Sequence, residues 1–331
     1  MKRTGLVELA KIAGVSVSTV SRALSGSSRV SAATKARIRA LATEHGFRLN
    51  QTASALRRQR TGAIGVVIPL GHDVDQTLSD PFFMALLGPL ADALAEAGYD
   101  LLLSRVIPRG DGWLDDIVAA GRVDGVIIIG QSNQTETIEE VAGRFAPLVV
   151  WGARRPGMTQ ITVGTDNHTG GQLAARHLIA IGRRRLAFLG DPGVPEFADR
   201  QAGFHAVIAQ TPGIEETVLP LHLTDRDAFT ETARFLDANL PPDGIFAASD
   251  VIAMGAMRAI TGRGLRVPQD VSVIGFDDIG IAAHTAPPLT TIRQDLERGA
   301  RQLVELLLRR IAGESAGPVI MPPELVLRAS A

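Results

Sequence analysis

The sequence predicts an α/β protein made of two doubly wound parallel sheets in series, preceded by a small three-helix head. Residues 6–45 hold three short runs of helical apolar spacing, broken by glycine and serine. From residue 63 onward, short continuously apolar runs alternate with amphipathic helical stretches. Charge is divided between the same two parts: residues 1–60 carry twelve Lys and Arg against Glu8 and Glu44, a net of +10, while the remainder carries −11 in a chain of formal charge −1. A basic head on an acidic body suits a protein that docks one end on a polyanion.

Residues 6–24, LVELAKIAGVSVSTVSRAL, form two short helices joined at Gly14, the second beginning at Val17. Leu6, Leu9, Ala10 and Ala13 line one face of the first, and Val15 and Val20 close the small core from the other side. Ser16 stands where an N-cap belongs, its hydroxyl placed to accept a backbone N–H of the second helix. Val17, Ser18, Ser21 and Arg22 then lie near the exposed start of that helix, from which a helix-turn-helix touches base edges. A solvated basic tail would lack this apolar spacing. A third helix follows over about residues 32–45, with Ser31 as N-cap and Gly46 as its stop. Ile38 and Leu41, with Ala42 and His45 beside them, close the head. Residues 50–57, NQTASALR, make one short amphipathic turn and a half, too short to hold as an isolated helix in water.

In the body, residues 63–69, 100–104, 125–129 and 148–151 are short runs with continuously apolar centres, as parallel strands covered on both faces require. Phe83, Leu86, Leu87, Leu90 and Leu94 mark an intervening helix. A second set, 186–189, 244–248 and 271–276, alternates with helices starting near His168, Phe197, Phe229 and Ile252. Ligands of such sheets bind at the strands' carboxyl ends, here in a cleft between two lobes. A last strand signal falls at residues 325–327.

At 331 residues and 45% apolar content the chain can bury two cores besides the head. It has no cysteine, which excludes disulfides, thiolate catalysis and zinc fingers. Gly262 and Gly264 are not followed by a third glycine at dinucleotide-binding spacing, and no phosphate-binding loop motif occurs. Neither a cofactor nor an enzyme activity is expected. The loop 71–79, GHDVDQTLS, places His72, Asp73 and Asp75 together, but without further anchored ligands it reads as a solvated lid and not a metal site. The N-terminus lacks an apolar export segment and no run has membrane length, so a soluble cytoplasmic protein without a membrane partner is expected.

Eight motifs, AGVSVSTVSRALSG, RVSAATKARI, ASALR, DPFFMALLGPLADALAEAGYDLLL, DNHTGGQLAARHL, DRQAGF, GLRVPQDVSVIGFDD and PPLTTIRQD, occur in this order across essentially the whole chain. Together they resemble the LacI/GalR family of bacterial transcriptional repressors. The resemblance implies a helix-turn-helix head at 1–48 and a hinge helix and linker at 49–60. It also implies a periplasmic-binding-protein-like core, with one subdomain of 61–163 plus 292–320 and another of 164–291 plus 321–331. The expected partners are a pseudo-palindromic double-stranded DNA operator, a second copy of the chain in a homodimer, and a small-molecule effector, a sugar or sugar derivative. No leucine-repeat tail follows the last strand, so the tetramerising coil of some relatives is not expected.

By the same resemblance, base reading falls on Val17, Ser18 and Arg22. Phosphate contacts come from the neighbourhood of Ser16, Thr19, Ser21, Ser31 and Thr34. Arg22 suits a bidentate contact with guanine, whereas Val17 can only meet an apolar edge such as a thymine methyl, or else pack in the core. Leu56 matches the hinge leucine that enters the minor groove and opens a base step. Ala53 matches a small residue near the groove floor, and Arg57 reaches phosphate or groove. Leu49 stands where many relatives carry proline.

For the effector, Arg200 matches the family arginine that bonds a hydroxyl or carboxylate, and Asp277 an acid at a strand end that accepts two donors. Phe82 and Phe83 match an apolar wall, Ser249 a polar contact, and Trp151 ends a strand where it could stack on a sugar. Structural alternatives stand beside each: a salt bridge of Arg200 with Asp199, a helix cap at Asp277, ordinary core for the phenylalanines and the tryptophan. The rival function is the solute-binding component of a sugar transporter, which shares the core but needs an export signal and no basic head. A dinucleotide-dependent enzyme is more remote.

Overall fold

The structure, a computed structural model, describes residues 5–24, 27–47, 60–70, 77–108, 110–131 and 133–331. The chain divides into two compact units, Met1–Thr61 and Gly62–Ala331. The 50–57 stretch and residues 71–76 of the 71–79 loop lie outside the described residues.

The head contains α1 (Leu6–Ala13), α2 (Val17–Leu24) and α3 (Ala32–Glu44). α1 stops at Gly14, whose φ of 65° favours glycine and whose N–H donates back to Lys11 O at 3.2 Å. Leu9, Ala10, Ala13, Val20, Ala23, Ile38 and Ala42 form the buried centre, with Leu6, Val15, Val17 and Leu41 packed at its edge. His45, expected on the closing face, is instead exposed and caps the C-terminus of α3. Arg37 Nη2 donates to Ala13 O at 2.6 Å, satisfying a carbonyl that the end of α1 leaves open.

In the larger unit, β1 (Ala63–Pro69), β2 (Asp100–Val106), β3 (Gly125–Ile129), β4 (Leu148–Trp151), β5 (Ile161–Thr165) and β11 (Val319–Met321) make one parallel sheet, ordered β11-β5-β4-β3-β1-β2. It carries α4 (Pro81–Glu96), α5 (Trp113–Ala119), α6 (Thr135–Arg144) and α11 (Leu296–Ile311). A second sheet, ordered β12-β10-β9-β8-β6-β7, contains β6 (Arg185–Leu189), β7 (Glu215–Leu219), β8 (Gly244–Ala247), β9 (Ser272–Asp277), β10 (Thr290–Arg293) and β12 (Glu324–Val326). Only β12 runs antiparallel, against β10. With this sheet go α7 (Asn167–Ala180), α8 (Pro195–Ile208), α9 (Asp225–Ala238) and α10 (Asp250–Thr261). The chain therefore changes lobe three times, after β5, β10 and β11.

β1, β3 and β4 are buried almost throughout, as apolar parallel strands must be. β2 departs from that expectation. It pairs only with β1 and forms the sheet edge, leaving Leu102 and Leu103 38% and 40% exposed. Each lobe has its own apolar core: Ile64, Leu86, Leu90, Ile127, Val149 and Leu303 in the first, Phe188, Phe204, Phe246 and Phe276 in the second.

Helices α7 and α8 approach each other unusually closely. A Cβ on Gly171 of α7 would lie 2.0 Å from Arg200 O, and one on Gly203 of α8 would lie 1.9 Å from His168 O. Reciprocal glycines let the two helices touch backbone to backbone, which brings the Arg200 side chain against Asn167 at the start of α7. Pro69, Ile129, Trp151, Thr165 and Asp277, at the carboxyl ends of β1, β3, β4, β5 and β9, all line one cleft between the lobes.

Candidate functional site

Two surfaces carry the predicted residues. In the head, Ser16 caps α2: its Oγ accepts from Thr19 N at 3.1 Å and bonds the hydroxyls of Ser18 and Thr19, each at 2.8 Å. Ser31 repeats the arrangement at α3, accepting from Thr34 N at 3.2 Å and bonding the Thr34 hydroxyl at 2.8 Å. Both helix starts thus present small hydroxyls beside the first-turn backbone N–H groups, a surface suited to phosphate oxygens. Ser16, Ser18, Arg22 and Ser31 are exposed, and Thr19, Ser21 and Thr34 are half-buried. Val17 is half-buried against the head core, so part of its surface packs and part faces out. Ala53, Leu56 and Arg57 fall outside the described residues.

The cleft contains about 960 Å³ of empty space when its open mouth is counted. Phe82, Phe83, Trp151, Arg200, Ser249 and Asp277 all line it. Phe82 lies 5.8 Å from Phe83 and 6.3 Å from Trp151, ring centre to ring centre. Phe83 and Trp151 are also buried members of the first lobe's core, so wall and core are the same residues here.

Arg200 is buried, with its guanidinium 3.6 Å above the Phe276 ring. Its Nε donates to Asn167 Oδ1 at 2.8 Å and its Nη1 donates to Ala248 O. Two of its five N–H donors are therefore committed within the protein, and three, on Nη1 and Nη2, remain for a ligand. The salt-bridge alternative fails too, because Asp199 is held by Arg155.

Asp277 ends β9 with φ 120° and is followed by Asp278 with φ 57°, two left-handed residues in a row. Buried Asp250 helps hold this turn: one carboxylate oxygen accepts from Ile279 N at 2.9 Å and the other from the Thr291 hydroxyl. Asp278 turns away to pair with Arg293 and Arg328. Asp277 turns into the cleft, where its Oδ1 accepts from Gln294 Nε2 at 2.7 Å, and Oδ2 has no partner among the described residues. It caps no helix. Burial pushes its carboxyl up to about 7, against the pull of Arg200 and Gln294 and with the push of Asp80. Burial likewise raises the carboxyls of Asp80 and Glu196 above their usual range. Ser249 is the N-cap of α10, accepting from Ile252 N at 3.2 Å, so it faces the cleft with its hydroxyl partly engaged.

Several lining residues escaped the sequence reading: Asp80, Asn167, Asp191, Glu196 and Gln294. A bridge between lobes adjoins them. Arg155, in the loop between β4 and β5, donates from Nη1 to Asp199 Oδ1 and Oδ2 at 2.6 and 2.7 Å, and from Nη2 to Pro195 O at 2.7 Å. Beside it, Ala153 N donates to Glu196 Oε1 at 3.3 Å. The first lobe thus grips the start of α8 in the second, and Glu196 belongs both to that grip and to the cleft wall.

Residues 6–50 match the model for bacterial regulatory proteins of the lacI family, and residues 175–331 that for a periplasmic binding protein-like domain. The HTH-type transcriptional regulator DegA of Bacillus subtilis is 30% identical over 99% of this chain and 98% of its own. The chain belongs to the lacI family of bacterial regulatory proteins. This LacI-family chain is also 30% identical to the regulator CelR of Thermobifida fusca, over 99% of this chain and 98% of that one. Among solved structures, the lac repressor dimer bound to operator and an anti-inducer matches with a TM-score of 0.86 at 27% identity, covering 99% of both chains. A CelR–cellobiose complex matches with a TM-score of 0.71 at 29% identity, covering 99% of this chain and all of that one. A LacI-family member is a helix-turn-helix transcriptional regulator and not an enzyme. Among the described residues no helix is long and apolar enough to cross a membrane.

Proposed function

We propose that this regulator is a repressor that binds a pseudo-palindromic operator as a homodimer, and that a small sugar or sugar derivative in the interlobe cleft sets its affinity for that operator. The observation that carries the reading is the cleft itself: an aromatic wall from one lobe faces Arg200 and Asp277 from the other, with the Arg155 bridge joining the lobes beside it. A ligand touching both walls binds one interlobe arrangement better than another, which is the condition for allosteric control.

On this reading Val17, Ser18 and Arg22 meet base edges, while Ser16, Thr19, Ser21, Ser31 and Thr34 face the backbone. Ala53, Leu56 and Arg57 act in the minor groove. The homodimer covers the apolar edge formed by Leu102 and Leu103, since an open strand edge of that kind is otherwise a liability for aggregation. Two relatives support the reading of an operator-binding dimer with a sugar-binding cleft: the lac repressor is a dimer bound to its operator and an anti-inducer, and CelR is held with cellobiose.

Selection of tight-binding duplexes from a random pool by the full-length protein tests the proposal. Enriched sequences should contain two half-sites related by two-fold symmetry, and binding should weaken steeply with salt. The absence of any preferred duplex, with or without added sugars, overturns it.

A further inference from the structure

In doubly wound sheets the helix N-termini at the cleft are the usual seats for phosphate and carboxylate groups, because unpaired N–H groups and the helix dipole point there. In this chain the helix starts around the cleft already carry acids of their own. Asp80 caps α4, its Oδ1 accepting from Phe82 N at 2.9 Å. Glu196 lies in the first turn of α8, and Asp250 in the first turn of α10 behind Ser249.

The charge balance of the lining points the same way. Asp80, Asp191, Glu196 and Asp277 face the cleft, and the only Lys or Arg among the described lining residues is Arg200. That guanidinium spends two of its five N–H donors on Asn167 and Ala248, so it is a single cation, already partly engaged, among four acids. Asp191 uses Oδ1 for Gly193 N at 2.8 Å, and Asp277 uses Oδ1 for Gln294, so each keeps an oxygen that no described residue bonds. Asp80 belongs to the first lobe and Asp277 to the second, close enough for one carboxylate to oppose ionisation of the other. Hydroxyls placed between them would satisfy both. An anion would meet acid side chains at the positions where it needs donors, and its entry would have to be coupled to further uptake of protons by them.

We propose that the cleft takes a polyhydroxylated ligand bearing no negative charge, and that Asp80 and Glu196 exclude the phosphorylated and carboxylated forms of the same ring by occupying the helix starts where an anion would sit. This rests on the effector reading under Proposed function and narrows it to a chemical class, with two specificity-determining residues.

The test uses the purified full-length protein and reads ligand affinity by quenching of tryptophan fluorescence, to which Trp151 in the cleft wall contributes, and by thermal shift. The probes are glucose, galactose, ribose and cellobiose, each beside its phosphorylated form and, for the hexoses, its uronic acid. At least one neutral sugar should bind at least about 100-fold more tightly than its anionic counterparts, a difference of about 2.7 kcal/mol. In Glu196→Gln and Asp80→Asn, both of which keep the shape and the backbone contact, the affinity for the anionic counterpart should rise by about tenfold or more. Equal or tighter binding of an anionic member, binding by no neutral member, or a preference unchanged in both variants each overturns the inference. An anionic sugar that binds and alters retention on the selected duplex sinks this inference while sparing metabolite control. A neutral sugar that binds without altering retention does the reverse.

Discussion

Phe82, Phe83, Ile129 and Trp151 reach the cleft from the first lobe, whereas Asp191, Glu196, Arg200 and Asp277 reach it from the second. The first-lobe wall is an extension of a packed core. Trp151 lies so close to α11 that a Cβ on Gly299 would come within 2.2 Å of its ring, so this wall is set before any ligand arrives. The second-lobe wall is a cluster of buried and half-buried charges that compensate one another only in part: burial lowers the Arg200 pKa and raises that of Asp277. One wall therefore provides area with little discrimination, and the other provides discrimination at a cost in stability. Asp80 is the acid that the first lobe adds, and Gln294, in the second crossover, tethers Asp277 from between the two.

The comparison can be broken most severely where the charged wall is assembled. Gly203→Ala drives a Cβ into His168 O and should push α7 from α8, costing about 3 kcal/mol and lowering Tm by roughly 5–10 °C in a thermal melt. Loss of the Arg200–Asn167 bond would follow even if the lobe still folds.

Asp277→Asn removes the central acceptor and should weaken binding of a neutral sugar about 100-fold by fluorescence titration. Its pH signature separates it from a packing defect. The folded protein holds the Asp277 proton up to about pH 7, whereas an unfolded aspartate releases it near ~3.9. The folded state is therefore favoured most at low pH, and this contribution is lost as pH rises from about 4 to 7. In the variant, Tm should depend less on pH across that window.

Arg155→Ala leaves both walls intact but removes the charged part of the grip between them, with the Ala153–Glu196 bond remaining. Arg155 and Asp199 are 36% and 28% exposed at the side chain, so solvent tempers their pairing, and a loss of about tenfold in sugar affinity is expected. Small-angle scattering should show a larger radius for the ligand-free variant. The smallest effect belongs to the apolar wall: Phe82→Leu should cost about threefold in affinity by the same titration, with the preference for neutral over anionic ligands unchanged.

The first lobe was also the more legible half in the sequence. β1, β3 and β4 coincide with unbroken apolar runs, and the spacing of Phe83, Leu86, Leu90 and Leu94 marks the buried stripe of α4. Strands with polar content went unseen. β10 is Thr-Thr-Ile-Arg, and its two threonines are buried because the hydroxyls are bonded, one to Asp250 and one to Arg328 N. β7 begins with two glutamates at a sheet edge. Helix starts near His168, Phe197, Phe229 and Ile252 lagged behind the observed Asn167, Pro195, Asp225 and Asp250, because the first turns are polar and the apolar pattern begins later.

For the cleft, Arg200 in DRQAGF and Asp277 in GFDD could be named through the family resemblance that those motifs carry, and both line it. Residues that acquire a role from a distant neighbour could not. Asp80 reads as an ordinary cap before Pro81 until the fold sets it opposite Asp277. Arg155 and Asp199 stand 44 positions apart in segments of different lobes.

The last strand has a temporal consequence. β12 pairs with β10, and just beyond it Ser330 accepts from Thr290 N at 2.8 Å and donates to Val273 O at 2.6 Å, so the sheet bearing Asp277 is completed by residues made after all its other strands. Until β12 is made, the nascent molecule carries an entire helix-turn-helix and an incomplete sensor.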